Sequence, residues 1–225
     1  MRVLLLCDDK FHPGDIPAMG CEPLKEKGFT IDVIQNAADF DPAILPDYAV
    51  LIISKSDHTS HQDHSPWKTD AVQDAILKYV KRGGGLIAIH SGTAGTRSDT
   101  LSRITGCRFI HHPKSCPVTV APLKPHPITE GVEMFCEPDE HYHLEILDDE
   151  IQILAAAYAP PQGDKAKYET DPHNNNPGGI LPAVLVREED WGNVCVITPG
   201  HTAEVWRNPN FQQLLINALN WCGYV

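Results

Sequence analysis

The chain has 225 residues, 42% hydrophobic and 21% charged, enough to bury the core of one α/β domain; that composition excludes disorder, collagen and coiled coil. Eighteen Lys plus Arg against thirty Asp plus Glu give a net charge of −12, which excludes nucleic acid and anionic membrane as main partners, because both select a basic surface. Apolar runs are too short to span a bilayer, and the opening MRVLLLCDDK turns acidic too soon for a signal peptide.

Residues 3–7 form a continuous apolar run that ends in Asp8-Asp9, which predicts a buried strand opening into a loop. A weak helix over 18–27 stops at Gly28, and strands follow at 30–35 and 48–54. Pro66 opens a helix whose Val72, Ile76, Tyr79 and Val80 share a face, with Gly83-Gly84-Gly85 ending it. Residues 86–89 are a fourth apolar strand. Strand alternating with helix, with strands apolar on both faces, predicts a parallel sheet covered on both sides. Strands at 116–121, 134–146 and 151–158 then read as an antiparallel extension. The segment 159–179, rich in Pro, Gly and Asn, has no periodicity and reads as a lid or a mobile insertion within a single domain. Strands at 182–187 and 193–198 and an amphipathic helix at 208–222 complete the chain. Seven cysteines without a C-x-x-C pair predict free, buried thiols and a cytoplasmic setting.

Ligands of an open parallel sheet bind beyond the carboxyl ends of its strands. Those ends deliver Asp8, Asp9 and His12, then Asp57, His58, His61 and His64, then His90, Ser91 and Thr93, and finally Gly200, His201 and Glu204. The spacing His58-x-x-His61-x-x-His64 suits a metal if the segment is helical and a solvated polar loop if it is not. His90 runs from a strand into a Gly turn, the geometry of a nucleophile elbow, which leaves it a general base or a metal ligand. If 139–146 is one strand, the face with Leu144 and Ile146 is the buried one. Glu140 and Tyr142 then point inward, and His141 and His143 point to water. A Cys near His111-His112 lacks a third orienting group, so a thiol hydrolase is the weaker reading.

The segments GGGLIAIHSG (83–92), HPITEG (126–131), DEHY (139–142) and PGH (199–201), followed by Trp206 and the closing Asn220-Trp221 helix, resemble the ThuA-like (trehalose utilisation) family from the first strand to the last helix. Asp57-His58-Thr59-Ser60-His61 also resembles an H-x-x-H pattern seen in part of that family. The resemblance implies a flavodoxin-like, class I glutamine amidotransferase-like fold: three α/β/α layers around a mostly parallel sheet. It also implies a role in sugar catabolism, beside sugar oxidoreductases that make 3-keto-glycosides. The elbow carries His90 where the wider superfamily has a nucleophilic Cys, which speaks against glutaminase activity.

Strand ends and resemblance together yield the expected site. His90, Glu140 and Tyr142 are catalytic candidates. Asp9, Ser91 and Trp206 are candidates for contacting substrate. His58, His61 and His201 are candidate ligands of a divalent metal, zinc first, with no nucleotide cofactor. The expected function is an enzyme acting on a keto-sugar or keto-glycoside by isomerisation, elimination or hydrolysis. The alternative is a non-catalytic carbohydrate-binding protein that stacks sugar on Trp67, Trp191 and Trp206. A homo-oligomer is expected in either case.

Overall fold

The computed structural model describes residues 1–96 and 98–223. In chain order the first half comprises β1 (Arg2–Cys7), α1 (Asp15–Lys25), β2 (Thr30–Ile34), β3 (Val50–Ser54), α2 (Asp70–Lys81), β4 (Gly85–Ile89), α3 (Thr100–Thr105) and β5 (Cys107–His111). The second half comprises β6 (Cys116–Pro122), β7 (Phe135–Asp139), β8 (His143–Ile146), β9 (Gln152–Ala159), β10 (Gly179–Glu189), β11 (Gly192–Ile197), α4 (Ala203–Arg207) and α5 (Pro209–Gly223). Nine strands make one sheet in the order β2-β1-β3-β4-β11-β10-β9-β6-β7. The first five are parallel, as expected for 3–7, 30–35, 48–54 and 86–89. The rest pair antiparallel, the expected extension.

Alternation along the parallel strands builds the three layers. Val3, Leu5, Ile52, Ile87 and Ile89 face α1, α4 and α5, meeting Leu24, Trp206, Phe211 and Leu215. Leu4, Leu6, Leu51, Ile53 and Leu86 face the other way, onto Ile76, Tyr79 and Val80 of α2 and Leu101 and Ile104 of α3. Each such fully buried aliphatic side chain stabilises the fold by about 1.5–3 kcal/mol relative to exposure. Strand order reverses between β1 and β3, so a crevice opens beyond their carboxyl ends.

Three expectations are corrected. The helix expected from Pro66 begins at Asp70, because Asp57 Oδ1 accepts the Trp67 and Lys68 amides (3.0 and 2.8 Å) and holds 66–69 as a loop. Thr69 then caps the helix through the Val72 amide. The strand expected over 134–146 is two strands in different sheets, β7 at the edge of the main sheet and β8 paired with β5. Asp139 ends β7 by accepting the amides of Glu140, Gly200 and His201 (2.7, 2.8 and 3.2 Å), and its carboxylate turns the chain toward the crevice. Alternation therefore does not carry across 140–142. His141 is 1% exposed, its Nε2 on the Ala157 carbonyl, and His143 is half-buried rather than facing water, whereas Ile146 is exposed. Finally, α3 and β5 stand where no element was expected; β5 and β8 cover Ala88, Leu185 and Val196 on the sheet face beside α3.

The 159–179 segment is held by its own asparagines. Gln162 and Asn176 exchange backbone hydrogen bonds (2.7 Å each), and Asn175 Oδ1 accepts the Asp164 amide.

Candidate functional site

His90 sits at the carboxyl end of β4 with φ +50°, a left-handed conformation that costs a non-glycine residue about 1–3 kcal/mol. The turn closes tightly on β3: a Cβ at Gly92 would run into the Ile53 carbonyl oxygen. His90 Nδ1 donates to the Thr198 carbonyl oxygen at 2.8 Å, an acceptor only, which fixes the tautomer and leaves Nε2 as a bare lone pair. Nε2 faces Glu140 Oε2 at 3.2 Å. Burial lowers the His90 pKa to about 4, against the bond to Glu140 that works to raise it. Burial also works to raise Glu140, but the imidazoles around its carboxylate, His90 first, then His112 and His201, hold it below the ordinary range. His90 Nε2 and the Glu140 carboxylate, 3.2 Å apart, therefore have room for one shared cation between them, a proton or a metal ion. Such a pair is completed by a cation.

Two more imidazoles converge there. His12 follows β1, and its Nδ1 lies 2.8 and 2.9 Å from the two oxygens of Asp9. Asp9 is wholly buried. Burial works to raise its pKa, but the His12 imidazole and the Ser56 and Phe11 amides hold it well below the carboxylate range. With Nδ1 donating to a buried carboxylate, His12 Nε2 keeps its lone pair for a metal, the arrangement in which a carboxylate orients a metal-ligating histidine. His201 follows β11, with its backbone amide on Asp139. Its Nδ1 is buried without a hydrogen-bond partner, 3.4 Å from Glu140 Oε2, and burial lowers its pKa. One donor atom each from His12, His90, Glu140 and His201 lies within 4.8 Å of the others. Three imidazoles and one carboxylate are a donor set for zinc or a similar divalent transition ion.

A cavity of about 800 Å³ opens above this cluster. Phe11, Phe109 and Tyr142 give it aromatic walls, and Asp57, His58 and Asp99 line it with polar groups. Tyr142 stacks on His90 (ring centroids 3.8 Å), and burial raises its phenol pKa well above the ordinary value, so it stays protonated. His112 and His173 also line the cavity, the latter from the 159–179 segment.

Of the residues singled out in the sequence, the structure brings His90, Glu140 and His201 into the cluster and Ser91, Tyr142 and His58 to the cavity wall. His58 is not among the four, and its Nδ1 bonds Ser56 Oγ at 2.9 Å. His61 is exposed, with Nδ1 on the Asp9 carbonyl, outside both cluster and cavity lining. The loop over 58–64 is not helical, so the three-residue spacing does not align these rings. Asp9 reaches His12 rather than the cavity. Trp206 is 1% exposed beneath Gly200, whose carbonyl accepts its indole N–H (2.9 Å), and presents no face to a sugar. Trp67 is buried against Phe40. Trp191 is exposed at the β10–β11 turn, on the opposite edge of the sheet. His12 was visible only as a strand-end residue; the signal for its role was Asp9 three positions before it. His112 and His173 carried no such signal.

The sequence profile of the ThuA family, described as trehalose utilisation, matches residues 4–222. No curated protein matches the chain. Among solved structures, a protein described as ThuA-like from Bacteroides uniformis is 18% identical, with 98% of this chain and 90% of that one covered and a TM-score of 0.72. One from Parabacteroides merdae is 17% identical, with coverage of 99% and 90% and a TM-score of 0.73. A β-galactosidase from Rahnella sp. R3 is 17% identical over 97% of this chain but 30% of its own length, with a TM-score of 0.63. At these identities the structural matches show the shared fold.

Proposed function

Because this chain belongs to the ThuA (trehalose utilisation) family, we propose that it is a divalent-metal-assisted enzyme of carbohydrate catabolism. Its substrate is a keto-sugar or keto-glycoside held in the cavity above His12, His90, Glu140 and His201. The observation that carries this reading is the bare Nε2 of His90 set against the Glu140 carboxylate. Bound there, a divalent ion would supply Lewis-acid polarisation of a carbonyl oxygen.

The residues divide the remaining work. Glu140 turns Oε2 to His90 and His201 and Oε1 toward His112 at the cavity wall, so Oε1 is the atom that can take a proton from the carbon beside the carbonyl. Tyr142, kept protonated by burial, is the matching acid at the aromatic wall. Phe11, Phe109 and Tyr142 offer flat apolar faces to the C–H side of a sugar ring, while Asp57, Asp99 and His58 suit its hydroxyls. Ser91 adds a hydroxyl beside the elbow. The reading includes a cytoplasmic homo-oligomer supplied by a sugar oxidoreductase, with no nucleotide, nucleic acid or membrane involved. No helix among the described residues is long and apolar enough to cross a membrane. The purely sugar-binding alternative rested on tryptophan platforms, and Trp67, Trp191 and Trp206 all lie away from the cavity lining.

The test is exchange of the carbon-bound proton. Zinc-loaded protein incubated with a 3-keto-glycoside in deuterated water is expected to wash deuterium into the position beside the carbonyl, and Glu140→Gln is expected to abolish this. Tight sugar binding by metal-loaded protein without exchange or conversion would overturn the proposal.

A further inference from the structure

A second group of imidazoles lies outside the cavity lining and is absorbed by nothing above. His111 ends β5 and His143 begins β8, and the two rings stack at 4.1 Å with planes 26° apart. Both turn one nitrogen to the same phenol: His111 Nε2 lies 2.9 Å and His143 Nδ1 3.3 Å from Tyr168 Oη. Tyr168 belongs to the 159–179 segment, so the contact joins that segment to the β5–β8 pair. The other nitrogen of each ring, His111 Nδ1 and His143 Nε2, is buried without a hydrogen-bond partner.

We propose that His111 Nε2, His143 Nδ1 and Tyr168 Oη form a second divalent transition-metal site, which fastens the 159–179 segment over the cavity. The phenol has one proton, so it donates to one imidazole and meets the second only as an acceptor. A cation in place of that proton engages both imidazoles and the phenolate at once. Ligands placed tetrahedrally about 2.0–2.1 Å from zinc are about 3.3–3.4 Å from each other; the His143–Tyr168 separation of 3.3 Å matches this, and the His111–Tyr168 separation of 2.9 Å needs only a small outward shift. Burial lowers the pKa of both histidines, that of His143 to about 4, so they are neutral and ready to ligate. The balance is simple: the dication binds two neutral imidazoles and displaces the phenol proton to solvent, leaving a phenolate ligand. Imidazole nitrogen and phenolate oxygen favour copper(II) or zinc over calcium or magnesium. The same segment carries His173 into the cavity lining, and the His173 carbonyl accepts the Lys114 amide (2.9 Å). Occupancy of the site therefore fixes one wall of the cavity.

The test uses copper(II) as the probe on the full chain, first in a Glu140→Gln, His201→Ala background that disables the cavity cluster. That protein is expected to take up one equivalent, with a visible tyrosinate-to-copper charge-transfer band, and to resist proteolysis within 159–179 when loaded. Adding Tyr168→Phe, a half-exposed position that leaves the fold intact, is expected to abolish the band and weaken uptake at least tenfold. Adding His111→Gln is expected to do the same. An equivalent bound without the band, one that survives Tyr168→Phe, or no uptake at all would overturn the proposal. Because the background already lacks the cavity cluster, this outcome is independent of whether the proposed activity holds.

Discussion

His90 and Glu140 are fifty residues apart in sequence, yet the Nε2 of one lies 3.2 Å from the Oε2 of the other, with the His90 proton committed to the Thr198 carbonyl on its far nitrogen. β4 supplies the histidine through a left-handed turn, and the break after β7 supplies the carboxylate. Neither arrangement follows from local propensity. A buried lone pair facing a carboxylate is unfavourable alone and favourable around a cation, so the pair is organised for binding rather than for stability.

Glu140→Gln is therefore expected to weaken zinc binding at the cavity cluster at least tenfold while leaving the melting temperature of the metal-free protein unchanged or higher, since it replaces the facing charge by an amide that can donate to Nε2. Calorimetric titration with zinc and thermal unfolding in chelator check both halves. Unchanged affinity would remove Glu140 from the ligand set.

Asp9 and His61 separate the structural reading from the one based on strand-end position. Asp9 fixes the tautomer of His12, and loss of such an orienting carboxylate costs about 10–100-fold in metal affinity. Asp9→Asn is expected to show that loss. His61→Ala is expected to leave affinity within about twofold, because its ring nitrogen lies on a backbone carbonyl outside the cluster. Equilibrium dialysis of the two variants decides it, and the reverse ranking would restore the H-x-x-H reading.

The parallel core was legible because its signal is local: Val3, Leu4, Leu5 and Leu6 are all fully buried, and an unbroken apolar run states that directly. The elbow at His90 was legible for a similar reason, a strand ending in a Gly turn. Glu140 was reached by a parity argument along a strand that in fact breaks at Asp139, so the residue lies in the site for a different reason, the pull of Asp139 on the Gly200 and His201 amides. That pull is long-range and leaves no periodic trace. The same break buried His141, which parity had turned to water. Trp206 illustrates the other loss: an aromatic near a strand end reads alike whether it faces the crevice or plugs the floor beneath it.

Thiol chemistry is expected to be irrelevant to activity. Six of the seven cysteines are buried, and burial raises Cys107 to about 12. The exposed one, Cys136, lies on edge strand β7 and does not line the cavity. Treatment of native protein with iodoacetamide is expected to modify Cys136 alone and leave turnover within about twofold. Loss of turnover that tracks modification of Cys116 or Cys107 would reopen a thiol mechanism.

Acidification is expected to destabilise the metal-free protein between about pH 6.5 and 4. Burial is the leading cause of the lowered pKa at His90 and at His143, each falling from 6.5 to about 4. Within that window the unfolded chain binds a proton at each site that the native state refuses, so stability is fully present above pH 6.5 and is lost as pH falls toward 4. Asp139 acts with the opposite sign. Burial raises it from 3.8 to about 7, so the native state retains a proton there that the unfolded chain has released over much of the same range. Burial also lowers His111, His141 and His201, so Asp139 is outweighed and the net slope keeps the sign of the histidines. His143→Gln removes one of these groups and is expected to make the profile shallower. Urea midpoints of chelator-treated wild type and variant at pH 7.0, 5.5 and 4.5 measure the slope directly. A wild-type midpoint that rises on acidification would mean that these imidazoles are charged in the native state, and would remove the neutral donor set on which both metal sites rest.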